Sequence, residues 1–142
     1  MRKAECACGQ LSIEVEGEPA MTVVCACTQC QRRTGSAFGI SAYFKDAQIA
    51  AIHGDSKSKT RGSDSGRTLT GHFCPECGTT VYWYAEAFPG RTGIAGGCFL
   101  DPDFPPKPQR AVWAKNIHPW AHLDDSIRTF DEAPPGMIKP QD

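Results

Sequence analysis

The sequence predicts a mainly β domain of many short strands, held together by metal as much as by apolar burial. Three observations predict it. Apolar residues alternate with period two in several short runs, and no helical period lasts beyond about ten residues. Gly (14 residues) and Pro (11 residues) interrupt those runs repeatedly. Eight cysteines fall mostly in clusters with chelating spacing.

The 142 residues suit one domain. Leu, Ile, Val and Phe make up only about 17% of them, a thin core. Disorder also needs high net charge, and here the net charge is -1. Balanced charge, 15 Lys+Arg against 16 Asp+Glu, lacks the basic footprint of a dedicated nucleic-acid binder. No apolar run reaches the ~18 residues of a membrane span, and no apolar segment follows the basic Arg2 and Lys3. A cytoplasmic protein is the expectation.

The elements follow in order. Residues 10–16 alternate, with Leu11, Ile13 and Val15 on one face, as a half-buried strand does. Residues 21–24 form an apolar strand leading into Cys25, and 28–35 a turn or short helix. Residues 38–44 and 49–52 read as further strands. Residues 55–67 are polar and rich in Gly and Ser, a strand end plus a mobile loop. That loop carries Lys57, Lys59, Arg61 and Arg67, and reads either as solvated or as an anion-contacting lip. Residues 68–73 and 79–84 form a hairpin around Cys74 and Cys77, and 92–100 another strand. Four prolines in residues 101–108 make an irregular connector; a strand is expected at 109–114, and a turn or short helix beginning at His118-Pro119-Trp120. The domain is expected over 1–133, with a frayed tail at 134–142.

The cysteines carry the chemistry. They stand as Cys6-x-Cys8, Cys25-x-Cys27-x-x-Cys30 and Cys74-x-x-Cys77, with Cys98 alone. Thiolates one to three residues apart can converge on one ion, whereas such neighbours bridge each other poorly. Zinc is the first candidate and iron the second. Gly78 after Cys77 and Gly9 after Cys8 permit the positive φ of a zinc knuckle. Seven clustered cysteines divide into a closed site (Cys6, Cys8, Cys74, Cys77) and an open one (Cys25, Cys27, Cys30). The alternative is that Cys98 or a histidine such as His72 closes the second site, leaving two structural metals. The first site spans the chain and could offset the thin core; the second lies within six residues and staples little. Arg32 and Arg33, next to the trio, read either as a solvated loop or as cations that balance its charge and bind the carboxylates of a ligand.

Taken together, Cys6-x-Cys8-Gly9, the Cys25–Cys30 trio followed by Gln31-Arg32-Arg33-Thr34-Gly35, and Phe73-Cys74-x-x-Cys77-Gly78 resemble the glutathione-dependent formaldehyde-activating enzyme (GFA) family, whose relatives include centromere protein V. Gly96 to Pro102 and Trp120 to Pro135 resemble further stretches of it. The resemblance implies an Mss4-like β-tent of short antiparallel sheets stapled by zinc. It implies two zincs per chain, on the four cysteines and on the three. It also implies a carbon–sulfur lyase that joins glutathione and formaldehyde into S-hydroxymethylglutathione, so that the partners are a small thiol and an aldehyde. Family members often carry His between the first two cysteines of the trio; Ala26 stands there. The competing class is a non-catalytic two-zinc module that binds a protein or nucleic acid.

Overall fold

The computed structural model describes residues 1–134. The chain forms eleven strands and one α-helix among these residues: β1 (Arg2–Glu5), β2 (Ser12–Val15), β3 (Met21–Cys25), α1 (Thr28–Thr34), β4 (Gly39–Lys45), β5 (Ile49–His53), β6 (Lys57–Gly62), β7 (Thr68–Phe73), β8 (Thr80–Ala85), β9 (Arg91–Ala95), β10 (Arg110–Val112) and β11 (Arg128–Thr129). A small sheet runs in the order β1-β2-β5, and a large one in the order β11-β10-β3-β4-β9-β8-β7-β6. The pairings are antiparallel except those of β10, which lies parallel to β3 and to β11.

The core lies between the sheets. Alternation puts Ile13 and Val15 of β2 inward, beside Leu11, and all three are fully buried. Opposite them the large sheet supplies Ala42, Phe44, Tyr82 and Ile94, with Ala42 and Tyr82 both paired to Ile94. Phe99 and Phe104 pack on Phe44 and on each other. Burial of each such side chain contributes roughly 1.5–3 kcal/mol. Among the described residues no helix is long and apolar enough to cross a membrane.

Most expected strands are present within a residue of their expected ends, while those at 10–16, 92–100 and 109–114 are shorter. Strand 92–100 stops at Ala95, because the chain turns into a 3-10 segment at Gly96–Cys98. A Cβ on Gly96 would lie 2.8 Å from Ile40, so this turn needs glycine. Strands β1 and β11 carry no sequence signal. Only Ala4 of β1 is buried and neither residue of β11 is, so neither shows a pattern. The polar stretch after residue 55 is an edge strand and a tight turn rather than a mobile loop. Ser63 and Arg67 close the turn through a backbone bond of 2.9 Å, and Asp64 ties it to α1. Of the expected tail, Pro134 is buried and the remainder lies outside the described residues.

The outer face of the large sheet forms the wall of the site. Cross-strand partners share a face. Cys25 and Val112, Val23 and Ser41, Tyr43 and Gly93, Gly93 and Trp83, Leu69 and Ala85, and Leu69 and Arg61 are such partners. Trp83 lies over Gly93, where a Cβ would overlap the indole nitrogen. Gly93→Ala should therefore displace Trp83 and lower stability by ~1–3 kcal/mol, read as a reduced denaturation midpoint of the metal-loaded protein.

Candidate metal centres and the cavity beside them

Two turns that meet across the sheets build the first centre. Cys6 follows β1, with Cys8 two residues on, while Cys74 and Cys77 form the turn between β7 and β8. Gly9 (φ 81) and Gly78 (φ 79) adopt the expected left-handed backbone. The four sulfurs lie within 4.8 Å of one another. Sγ of Cys8 is 3.6 Å from that of Cys6 and 3.7 Å from that of Cys74. All four are free thiols. A tetrahedral zinc with Zn–S near 2.3 Å sets sulfurs about 3.8 Å apart, so the spacing fits zinc. Outer hydrogen bonds orient the thiols: Leu11 N–H donates to Cys6 Sγ at 3.3 Å, and Gln10 Nε2 to Cys74 Sγ at 3.2 Å. The Thr79 hydroxyl and backbone draw the Cys77 thiol down to about 5.

The second centre is local. Cys25 ends β3, Cys27 caps α1, and Cys30 lies in its first turn. Cys27 Sγ accepts the Cys30 N–H at 3.3 Å. The three sulfurs lie within 4.8 Å of one another, and among the described residues no other Cys, His, Asp or Glu joins them. Hydrogen bonds from Cys25 and Cys30 draw the Cys27 thiol far below the usual thiol range, and the Arg61 charge adds to this. The Cys25 thiol is pushed up, first by its hydrogen bond with Cys27, then by Cys30 and burial. Three soft sulfurs with no fourth protein ligand among the described residues suit a divalent ion with an open position.

This trio opens into a cavity of about 100 Å³ on the outer face of the large sheet. Leu69, Trp83, Phe88, Val112 and Trp113 form much of its wall. Arg33, Arg61, Arg67 and Arg110 bring positive charge to it. The Arg33 guanidinium stacks on Trp83, 4.7 Å from the ring centroid, in space kept by Gly39, where a Cβ would lie 2.6 Å from Nη2. Arg67 pairs with Glu86 at 3.7 Å. Asp64 accepts from Thr28 N–H at 3.0 Å and from its hydroxyl, so the β6–β7 turn is clasped over the trio. Trp83 Nε1 donates to the Tyr43 hydroxyl at 3.2 Å, and burial pushes the Tyr43 phenol up to about 12. Trp113 holds φ at 57°, costly for an aromatic residue.

Several residues that are neighbours in sequence part company in the fold. Arg33 reaches the cavity, but Arg32 is exposed and lines another groove with His118 and Trp120. Arg61 and Arg67 of the basic stretch reach the cavity, whereas Lys57 and Lys59 do not line it. Cys98 is buried, with Sγ 3.9 Å from the Thr80 carbonyl, and joins neither centre. His72 stacks on Tyr82 and also joins neither. Ala26 is fully buried, and its carbonyl accepts from Gln31 and Asn116. Tyr43, Leu69, Phe88 and Arg110 have no motif that marks them in the sequence; strand register brings Tyr43, Leu69 and Arg110 to the cavity, and the turn after β8 brings Phe88.

A small two-sheet β domain with one four-thiol and one three-thiol cluster that could each hold a metal ion is thus the class of protein that fold and sites define, with the Mss4-like architecture. The sequence profile of the glutathione-dependent formaldehyde-activating enzyme (GFA) family matches residues 1–116, and the chain belongs to that family. The match contains both centres and ends before the Trp120–Pro135 stretch that resembles the family's close. Among solved structures, a crystal structure of a Rhodobacter sphaeroides protein is similar to this chain, with 23% identity and a TM-score of 0.56. The similarity covers 70% of this chain and 91% of that one, and bears on the fold. No curated protein matches.

The two centres should respond differently to single substitutions. Cys74→Ser should abolish the cooperative fold, since structural zinc contributes on the order of 10 kcal/mol. Cys27→Ser should lose one metal equivalent by elemental mass spectrometry while the circular dichroism of the β-sheets persists. Collapse of both variants would make the second centre structural too.

Proposed function

We propose that this chain is a zinc-dependent enzyme of the carbon–sulfur lyase type. It joins a thiol such as glutathione to a small aldehyde such as formaldehyde, or runs the reverse reaction. One observation carries the reading: the three-cysteine centre has no fourth protein ligand among the described residues and faces an arginine-lined cavity. Cys6, Cys8, Cys74 and Cys77 would hold a structural ion, and Cys25, Cys27 and Cys30 would hold the ion at the reacting end. When bound there, zinc supplies an open position at which a thiol sulfur is held as thiolate.

The chain's own residues do the remaining work. Arg61 on β6 and Arg110 on β10 approach the cavity from opposite ends of the sheet, and each can take a carboxylate of the thiol. Arg33 compensates the negative charge of three thiolates, held in place by Trp83. Tyr43 stays protonated, accepts from Trp83, and can donate its own proton in a hydrogen bond to the aldehyde oxygen. In the forward direction the sulfur forms a bond to the carbonyl carbon and the C=O π pair moves to oxygen. The oxygen gains a proton and the thiol sulfur has lost one, so the sum is neutral.

The alternative, a metal-stabilised binding module, lacks an exchangeable metal position. Cobalt-substituted protein should therefore change its visible spectrum on addition of glutathione. Exchange-resolved nuclear magnetic resonance should show faster interconversion of glutathione plus formaldehyde with S-hydroxymethylglutathione. Arg61→Ala and Arg110→Ala should each weaken glutathione binding about tenfold or more, from the ~1.5–3 kcal/mol of a charged hydrogen bond. Arg32→Ala, outside the cavity, should leave it unchanged. A silent cobalt spectrum would favour the binding module.

A further inference from the structure

The polar and apolar groups of the cavity are segregated. Its polar lining comes largely from one turn, Ser63 to Arg67, and from arginines. Much of that polarity is already satisfied. The Ser63 and Ser65 hydroxyls bond each other at 2.7 Å, Asp64 is engaged by Thr28, and Arg67 pairs with Glu86. Apart from Ser41, Tyr43 and Thr68, the rest of the lining is largely apolar, with Leu69, Ala85, Ala87 and Phe88 together on one side and Val112 beside Cys25. Phe88 is fixed against Tyr43, with ring centroids 4.8 Å apart. A peptide amide placed against this wall would lose its hydration without gaining partners, at ~1–3 kcal/mol for each unpaired group.

Size points the same way. A cavity of about 100 Å³, at ~10–15 Å³ for each water-sized occupant, takes roughly seven to ten heavy atoms. The sulfur end of the thiol shares that space and its carboxylates belong at Arg61 and Arg110, so with formaldehyde, two heavy atoms, the Leu69–Phe88 wall would stay uncovered. We infer that the aldehyde handled here carries an apolar group of several carbon atoms, branched or aromatic, seated on the Leu69–Phe88 wall while the anionic thiol reaches Arg61 and Arg110. This rests on the thiol–aldehyde reading and names the aldehyde class for it. The reacting bonds are those already described, the carbon–sulfur bond forming at a substituted carbonyl carbon.

Binding of thioethers that mimic the adduct tests this without turnover. Zinc-loaded protein is titrated with S-methyl-, S-propyl- and S-hexylglutathione, and in parallel with ethanethiol, butanethiol and hexanethiol. The signal is tryptophan fluorescence, since Trp83 and Trp113 line the cavity. Affinity should rise about threefold per added methylene until the cavity is full. Leu69→Asn should flatten that dependence; Ala87→Asn does the same job if the first variant fails to retain its metal. Chain-length dependence in the neutral thiols without binding of the glutathione series would keep the apolar site and remove glutathione as the thiol. Binding of both series with flat or falling affinity would keep the thiol reading and overturn the apolar aldehyde. Absence of binding in both series would overturn both.

Discussion

Four sulfurs from two distant turns set the frame on which everything else rests. Cys8 and Cys74 are 66 residues apart in sequence, yet their sulfurs meet at 3.7 Å. Cys6 and Cys8 belong to the small sheet's first turn, and Cys74 and Cys77 to the β7–β8 turn of the large sheet. Four thiolates this close repel one another unless a cation lies among them. A divalent ion converts that repulsion into a bond between the sheets, with the largest gain where the chain's own apolar content is thin. The surrounding residues are arranged for that purpose. Gln10 donates to the Cys74 sulfur and also bonds the Asp55 backbone, so one side chain couples the first turn, the centre and the entry to β6.

The second centre has the opposite design. Its ligands span one turn of chain, so an ion there constrains little that β3 and α1 do not already constrain. What surrounds it is costly by comparison. Arginines face a largely apolar wall, a buried tyrosine accepts from a buried tryptophan, and Trp113 holds a left-handed backbone. Expensive local arrangements beside a metal cluster that adds little to folding are those expected where geometry is kept for a ligand.

Period-two patterns made the strands with one buried face legible, because side-chain alternation is a property of the strand itself. Leu11, Ile13 and Val15 show it plainly. Strand β1 exists only because β2 lies beside it, with Ala4 set against Ile13, and no local signal announces such a partner. The metal clusters were legible for a similar reason: two of their three segments are short-range turns with their own glycines. Cavity walls are another matter. Tyr43, Trp83 and Leu69 come together through the registers of four adjacent strands, and none of those registers is written in a local spacing. The neighbouring arginines show the limit sharply. Arg32 and Arg33 are alike as sequence, but successive residues of α1 point to different surfaces, and only Arg33 finds the opening left by Gly39.

Ala26 bears on how protons could move at the second centre. Where a relative carries histidine between the first two cysteines, this chain offers a methyl group with no exposure, on a backbone bonded to Val112 and to Gln31 of α1. Among the described residues no histidine lines the cavity. A reaction that only exchanges a sulfur proton for an oxygen proton does not require a titrating imidazole, provided the oxygen meets a donor and the thiol sheds its proton to water. On the proposed reading Tyr43 is such a donor, held by Trp83 and kept protonated by burial. The same Trp83 carries Arg33 on its face, so one indole orients both the neutral donor and the nearest positive charge. Gly93 beneath the ring and Gly39 beneath the guanidinium are therefore part of the site although neither can touch a substrate with a side chain.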